Sequence, residues 1–255
     1  MPLSKNRIKY IRLLELKKNR RNEKVFLAEG HKLVGELLGH FECRFLLATA
    51  EWLLKNPRIH TLVNDITEVT EDELSRASLQ KTPQQVLAVF EQPEEEFDAT
   101  IATRSLCLAL DDVQDPGNLG TIIRVADWFG IEHIFCSPNT VDVFSPKAIQ
   151  ATMGAIARVQ VHYTNLPTLI RSLGEVPVYG TFLDGDTIYN CPLSSNGLIV
   201  MGNEGNGIGQ AVEQLVTRKL YIPNYPSERT TSESLNVAIA TSIVCAEFRR
   251  QATWK

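Results

Sequence analysis

Three polar clusters, each placed just after a short apolar run, carry the side chains in this chain that can do chemistry. The first follows Leu106-Cys107-Leu108-Ala109-Leu110 and reads Asp111-Asp112-Val113-Gln114-Asp115-Pro116-Gly117-Asn118-Leu119-Gly120-Thr121-Ile122-Ile123-Arg124. Its apolar run suits a buried strand. Residues 115–118 break the chain and can cap a helix whose apolar face is Ile122, Ile123, Ala126 and Phe129. Arg124 falls one turn after Gly120, so a guanidinium should project beside a position with no side chain, where a ligand could approach the backbone. The second cluster is Leu198-Ile199-Val200-Met201-Gly202-Asn203-Glu204-Gly205-Asn206-Gly207-Ile208-Gly209, an apolar run opening into glycines with one carboxylate. The third is Tyr221-Ile222-Pro223, a polar loop, then Ser234-Leu235-Asn236-Val237-Ala238 at the start of the last helix. Ser234 suits the cap of that helix, and the free N–H groups of its first turn could receive a carboxylate. Taken singly, Arg124 reads as a solvated helix face, Glu204 as a turn carboxylate, and Ser234 with Asn236 as a cap. Their joint occurrence at three strand ends points to a site.

The elements that must position these clusters alternate. Beyond residue 105, strand-like runs at 106–110, 133–136, 159–162, 176–181, 198–201 and 220–222 are separated by helical stretches at 120–129, 146–155, 167–173, 209–217 and 235–250. Such alternation implies a largely parallel sheet covered on both faces, with ligands bound at the carboxyl ends of its strands. The glycine cluster contains no Gly-x-Gly-x-x-Gly, and no Gly-Lys-Ser or Gly-Lys-Thr follows it, which disfavours a dinucleotide oxidoreductase or a phosphate-loop enzyme. The five histidines show no ordering with serine or cysteine that would suggest nucleophilic hydrolysis. His31, His40, His133 and His162 read as structural.

A smaller α/β or α+β domain precedes this one, with strands expected at 25–29, 45–48, 61–63 and 86–90 and helices at 31–38 and 71–78. Its opening stretch, 4–19, has the pattern of one amphipathic helix with a basic face. The surrounding run of Lys5, Arg7, Lys9, Arg12, Lys17, Lys18, Arg20, Arg21 and Lys24 admits either a solvated surface or RNA-phosphate contacts. The acidic, proline-containing stretch 92–98 reads as a linker. The domains are therefore expected at 1–91 and 105–255, joined by 92–104. With 255 residues, 44% of them hydrophobic and a net charge of −4, the chain has room for both. The charge asymmetry says more about partners than the total does. Five scattered cysteines without metal-type pairing suggest reduced thiols and a cytoplasmic, metal-free protein. No apolar run reaches the roughly 18 residues that a membrane span needs.

The three clusters together, Asn-x-Gly-x-x-x-Arg, Gly-x-Glu-Gly-x-Gly and Ile-Pro…Ser-Leu-Asn-Val, resemble the SpoU (TrmH) family of RNA ribose methyltransferases in the SPOUT superfamily. The resemblance covers about residues 106–250. It implies an α/β domain with a mostly parallel sheet and a deep C-terminal trefoil knot, S-adenosylmethionine as cofactor, a homodimer, and methylation of a ribose 2′-hydroxyl. It also implies that Thr181, Met201, Gly202, Gly207, Ile222, Ser234 and Leu235 bind cofactor, and that Asn118, Arg124, Glu204, Ser234 and Asn236 form the polar active site. Phe26-Leu27-Ala28-Glu29-Gly30-His31-Lys32, with Val34, Leu37 and Leu38, is similar to the ribosomal-protein-like substrate-binding domain of rRNA-modifying members, which favours 23S rRNA over tRNA as substrate. The chain departs from the family in the loop 224–233, which is longer than usual and lacks a glycine, and in Ala238, where serine is common. A non-catalytic RNA-binding assembly factor of the same fold is the alternative, and the intact Asn118, Arg124, Glu204 and Asn236 argue against it.

Overall fold

The computed structural model describes residues 3–94, 98–226, 229, 232 and 234–253, the last of these, Thr253, by backbone alone. Two compact units emerge: Met1–Glu94 with Asp142–Ala157, and Glu95–Val141 with Arg158–Lys255. Glu95, Glu96 and Phe97 of the expected linker lie outside the described residues, as do 227, 228, 230, 231 and 233 of the long loop.

The first unit opens with two helices, α1 (Lys5–Leu13) and α2 (Lys17–Glu23), where the sequence pattern suggests one. Leu14 is buried at the break. There the Arg20 guanidinium donates to the carbonyls of Leu14 and Glu15 at 2.7 Å each, satisfying acceptors that the end of α1 leaves open. Arg20 is only 2% exposed and pairs with Asp142 at 2.5 Å, so this member of the basic run is a structural ion pair. Arg7 is likewise engaged, 2.6 Å from Asp65 and over the Phe45 ring. Lys5, Lys9, Lys17, Lys18, Arg21 and Lys24 stay exposed.

Behind these helices lies a sheet of β1 (Val25–Glu29), β2 (Cys43–Ala48), β3 (Ile66–Glu68) and β4 (Val86–Glu91), in the order β1-β4-β2-β3. β4 runs antiparallel to β1 and β2, and β3 runs parallel to β2. Helices α3 (His31–Leu37), α4 (Ala50–Lys55) and α5 (Glu71–Ala77) connect them. The strand expected at 61–63 does not form. Pro57, with fixed φ and no N–H, instead opens a short 3₁₀ turn, Pro57–Thr61, and the third strand comes later. Helix Pro146–Thr152 also belongs to this unit, packed against β1, with the Phe144 ring 5.2 Å from that of Phe26.

In the second unit, β5 (Leu106–Leu110), β6 (His133–Cys136), β7 (Gln160–Tyr163), β8 (Val178–Thr187), β9 (Gly197–Met201) and β10 (Arg218–Tyr221) form one sheet, ordered β10-β8-β9-β5-β6-β7. Every pairing in it is parallel. α6 (Pro116–Trp128), α8 (Leu166–Ser172), the short α9 (Gln210–Glu213) and α10 (Val237–Thr253) cover it, α7 being the helix Pro146–Thr152 of the first unit. Cys107, Ala109, Leu198 and Val200 pack with Leu169 and Ile170 of α8 and Val212 of α9. The two-residue period of a strand leaves Leu106, Leu108 and Leu110 for the opposite face. From β5 the chain steps outward through β6 to β7, whereas β8, β9 and β10 lie on its other side. The order therefore reverses between β5 and β9, where open parallel sheets bind ligands.

Candidate active site

At the carboxyl end of β5 the chain turns sharply. Asp112 takes a left-handed φ of 59°, and Asp115 caps α6 by accepting the Asn118 N–H at 2.9 Å. Pro116 at the first helical position needs no backbone donor. The helix so started aims the Asn118 side chain at the neighbouring strand end, where its amide donates to Glu204 Oε1 at 2.9 Å. Glu204 also accepts the main-chain N–H groups of Gln114 and Asp115, each at 3.2 Å. Burial pulls the Glu204 carboxyl upward, but the Asn118 amide and these N–H groups outweigh it and hold its pKa below the ordinary carboxylate value.

The glycine cluster is tighter than its sequence suggests. Gly202 is buried, and a Cβ there would lie 2.2 Å from the carbonyl carbon of Gly207, so its bareness serves the loop's own backbone. Asn203 and Gly207 exchange main-chain hydrogen bonds of 2.9 and 3.0 Å, with Gly207 at a φ of +69°. Gly120 is buried too, within the packed face of α6, and is not the open corner expected beside Arg124.

The C-terminal segment meets both earlier clusters. Asn236 donates from Nδ2 to Asn118 Oδ1 at 2.9 Å, while its own Oδ1 accepts the N–H groups of Ala238 and Ile239. Asn236, rather than Ser234, therefore caps the last helix, which begins at Val237. Thr181, Met201, Gly202, Gly207, Ile222, Ser234 and Leu235 all line one cavity of about 520 Å³, with Glu204, Leu183 and Tyr221. Such a volume suits a small cofactor. Arg124 does not line it. It is exposed on α6 and has no ion-pair partner among the described residues. Asn203 and Asp111, which sequence reasoning did not single out, also shape the site: Asn203 Nδ2 donates to the Asp112 carbonyl at 2.7 Å, and Asp111 Oδ2 accepts the Gly209 N–H at 2.7 Å. An aspartate closing a buried strand, and an asparagine among glycines, were the available signals.

The lining of the cavity indicates its ligand. Among the described lining residues there is no lysine, arginine or histidine; Glu204 contributes a carboxylate, Glu213 one already paired with Lys219 at 2.6 Å, and Met201, Ile222 and Leu235 apolar wall. A phosphate-bearing cofactor would lack a counter-charge there; a phosphate-free, cationic one fits. Thiol chemistry is disfavoured, since burial pushes Cys107 and Cys245 up to about 12. His133 and His162 pair with each other at 3.2 Å, both lowered by burial. Among the described residues no group of three or more His, Cys, Asp or Glu gathers as a metal site, and no helix is long and apolar enough to cross a membrane.

A cavity at the carboxyl ends of parallel strands, with no cation among its described lining residues and an amide–carboxylate chain beside it, suits an α/β enzyme with a small cationic cofactor, and comparison with known proteins makes the class an RNA methyltransferase. Residues 105–246 match the SpoU rRNA Methylase family, to which the chain belongs, and residues 5–88 match the MRM3-like substrate binding domain. It is 34% identical to the 23S rRNA (guanosine(2553)-2′-O)-methyltransferase RlmP of Bacillus subtilis, over 95% of this chain and 96% of the relative. A solved TrmH-family structure from Porphyromonas gingivalis is 43% identical, with a TM-score of 0.86, covering 98% of this chain and 100% of that one. An AdoMet-bound rRNA methyltransferase from Sinorhizobium meliloti is 30% identical, with a TM-score of 0.82 over 98% and 96% of the two chains.

Proposed function

We propose that this protein is an S-adenosylmethionine-dependent methyltransferase acting on a ribose 2′-hydroxyl of 23S rRNA. The observation that carries the reading is the cavity at the carboxyl ends of β9 and β10, with no cation among its described lining residues, beside the chain of hydrogen bonds from Asn236 through Asn118 to Glu204. Bound there, S-adenosylmethionine would supply a methyl group on a cationic sulfonium that leaves as a neutral thioether without a metal, the ribose hydroxyl proton passing to water. Thr181, Met201, Gly202, Gly207, Ile222, Ser234 and Leu235 hold the cofactor. Glu204 has its oxygens occupied by three N–H donors besides its own surroundings, so it serves to orient Asn118 rather than to take a proton. Arg124 supplies the charge that holds the target phosphate and the developing alkoxide. As a guanidinium it stabilises charge and does not act as base.

The rRNA assignment draws on the N-terminal substrate-binding match and on the name of the Bacillus subtilis relative. The exposed Lys5, Lys9, Lys17, Lys18, Arg21 and Lys24 supply phosphate contacts. The protein works as a cytoplasmic homodimer with its C-terminal segment threaded as a trefoil knot. Supporting the dimer, Trp128 on α6 is 85% exposed and Ile239 on α10 is 53% exposed, and α6 packs against α10. Arg124 lies one turn before Trp128 on the same helix face, so an interface there carries the arginine toward the partner's cavity. Supporting the knot, the segment after Ile222 returns to meet both the glycine loop and Asn118.

Mapping ribose methylation in rRNA and tRNA from cells lacking the protein tests the reading. One methyl should vanish from 23S rRNA and return with the wild-type protein but not with Arg124→Ala. A methyl missing from tRNA alone would reassign the substrate, and none missing anywhere would contradict the activity.

A further inference from the structure

Two tethers from the end of β5 hold the glycine loop by its two ends. At the far end, Asp111 Oδ2 accepts the Gly209 N–H at 2.7 Å; at the near end, the Asp112 carbonyl accepts Asn203 Nδ2 at 2.7 Å. Between them the loop is closed on itself, because Asn203 Oδ1 also accepts the N–H groups of Gly205 and Asn206 at 2.9 and 3.0 Å. Gly202 to Ile208 form one wall of the cavity, and Glu204 at the tip meets Asn118. Asp111 is 9% exposed, and burial foremost, with Asp112 adding to it, raises its pKa against the lowering effect of the Gly209 bond. A buried carboxylate is a costly group to keep for stability alone. It stands where the loop, not the sheet, requires an acceptor. Asp112 in turn is fixed in its left-handed turn, its N–H reaching Ser137 Oγ at 2.9 Å and its carboxylate bonded to the same hydroxyl.

We propose that Asp111 is a positioning residue for the cofactor wall: with Asn203 as the second tether, it holds residues 203–209 in the one shape that admits S-adenosylmethionine. The inference rests on the cofactor reading above and assigns Asp111 no contact with the reacting atoms. Losing a hydrogen bond to a charged group is worth about 1.5–3 kcal/mol, or roughly 10- to 100-fold in affinity.

The test measures two things in full-length wild type, Asp111→Ala, Asp111→Asn and Asn203→Asp: calorimetric binding of S-adenosylmethionine, and amide hydrogen exchange of residues 203–209 without cofactor. Asp111→Ala should weaken cofactor binding by about 10-fold or more and speed loop exchange, leaving β5 and β9 protected and the KM for RNA unchanged. Asp111→Asn, whose amide oxygen can accept the same N–H, should restore both to within about 3-fold of wild type. Asn203→Asp keeps the internal acceptor but loses the donor to Asp112, so it should reproduce the Asp111→Ala defect even if that variant fails to fold. Wild-type binding and wild-type exchange in Asp111→Ala and Asn203→Asp, or an Asp111→Asn no better than Asp111→Ala, would overturn the proposal. Absence of S-adenosylmethionine binding by the wild type would instead overturn the cofactor reading, and the exchange data would still decide whether Asp111 shapes the loop.

Discussion

An ionised carboxylate can only accept hydrogen bonds, and from that fact the orientation of the site follows residue by residue. Because Glu204 accepts, Asn118 must present its amide nitrogen to it and its oxygen to Asn236; Asn236 must then give its nitrogen to Asn118 and its oxygen to the N–H groups of α10. The chain has a pH signature. The pKa of Glu204 is lowered on folding, so its contribution to stability is fully present above the ordinary value of 4.5 and lost as pH falls through the lowered one. Melting wild type and Glu204→Gln across pH 3–7 should show a wild-type advantage at neutral pH that shrinks on the acid side; a gap that widens on acidification would contradict the assignment. Arg124 stands outside this chain of hydrogen bonds, and its proposed role is to stabilise charge. Arg124→Ala should leave melting and cofactor affinity nearly unchanged while cutting single-turnover methyl transfer by about 100-fold or more, and Arg124→Lys should rescue only in part, because an ammonium lacks the planar fork.

At the level of elements, the site depends on α6 and α10 keeping their mutual position. Arg249 of α10 donates to the carbonyls of Phe129 and Gly130 at 2.6 and 2.8 Å, placing a cation at the C-terminus of α6. Arg249→Ala should therefore cost about 1–2 kcal/mol in denaturant unfolding and weaken the Asn236–Asn118 register with it. The strands and the three strand-end clusters were legible because buried parallel strands read as unbroken apolar runs, as in Leu106–Leu110 and Gly197–Met201. Local signals misled where a tertiary partner decided. Ser234 has the right chemistry to cap a helix, but the cap went to Asn236, whose amide could also reach Asn118. The basic pattern of 4–19 ran on as one helix in sequence, yet Arg20, held by Asp142 from 122 positions away, draws the chain into a break. Nor could the packing of Pro146–Thr152 against β1 be read from its neighbours in sequence.

For the whole molecule, this packing means that the first unit is discontinuous, so cutting the chain after residue 94 would strip Arg20 of Asp142 and Phe26 of Phe144. RNA binding is better tested by charge than by truncation. Replacing Lys5, Lys9, Lys17 and Lys18 with glutamine should leave cofactor affinity intact and flatten the log–log dependence of RNA affinity on salt; an unchanged slope would remove those lysines from the interface. The dimer has its own test. Mixing Arg124→Ala subunits with subunits disabled in the glycine loop should restore about a quarter of the wild-type activity if the arginine acts across the interface, because half of the dimers are then heterodimers with one of two sites intact, and none if it acts within its own subunit. The central claim, methyl transfer from S-adenosylmethionine to a ribose oxygen, is tested most directly with purified protein, methyl-labelled S-adenosylmethionine and unmodified 23S rRNA. After alkaline hydrolysis, the label should appear in an alkali-stable dinucleotide, since a 2′-O-methyl blocks cleavage of the bond beside it, with metal chelator present and with Arg124→Ala at background. Label recovered in mononucleotides as a methylated base, or no transfer to RNA at all, would contradict it.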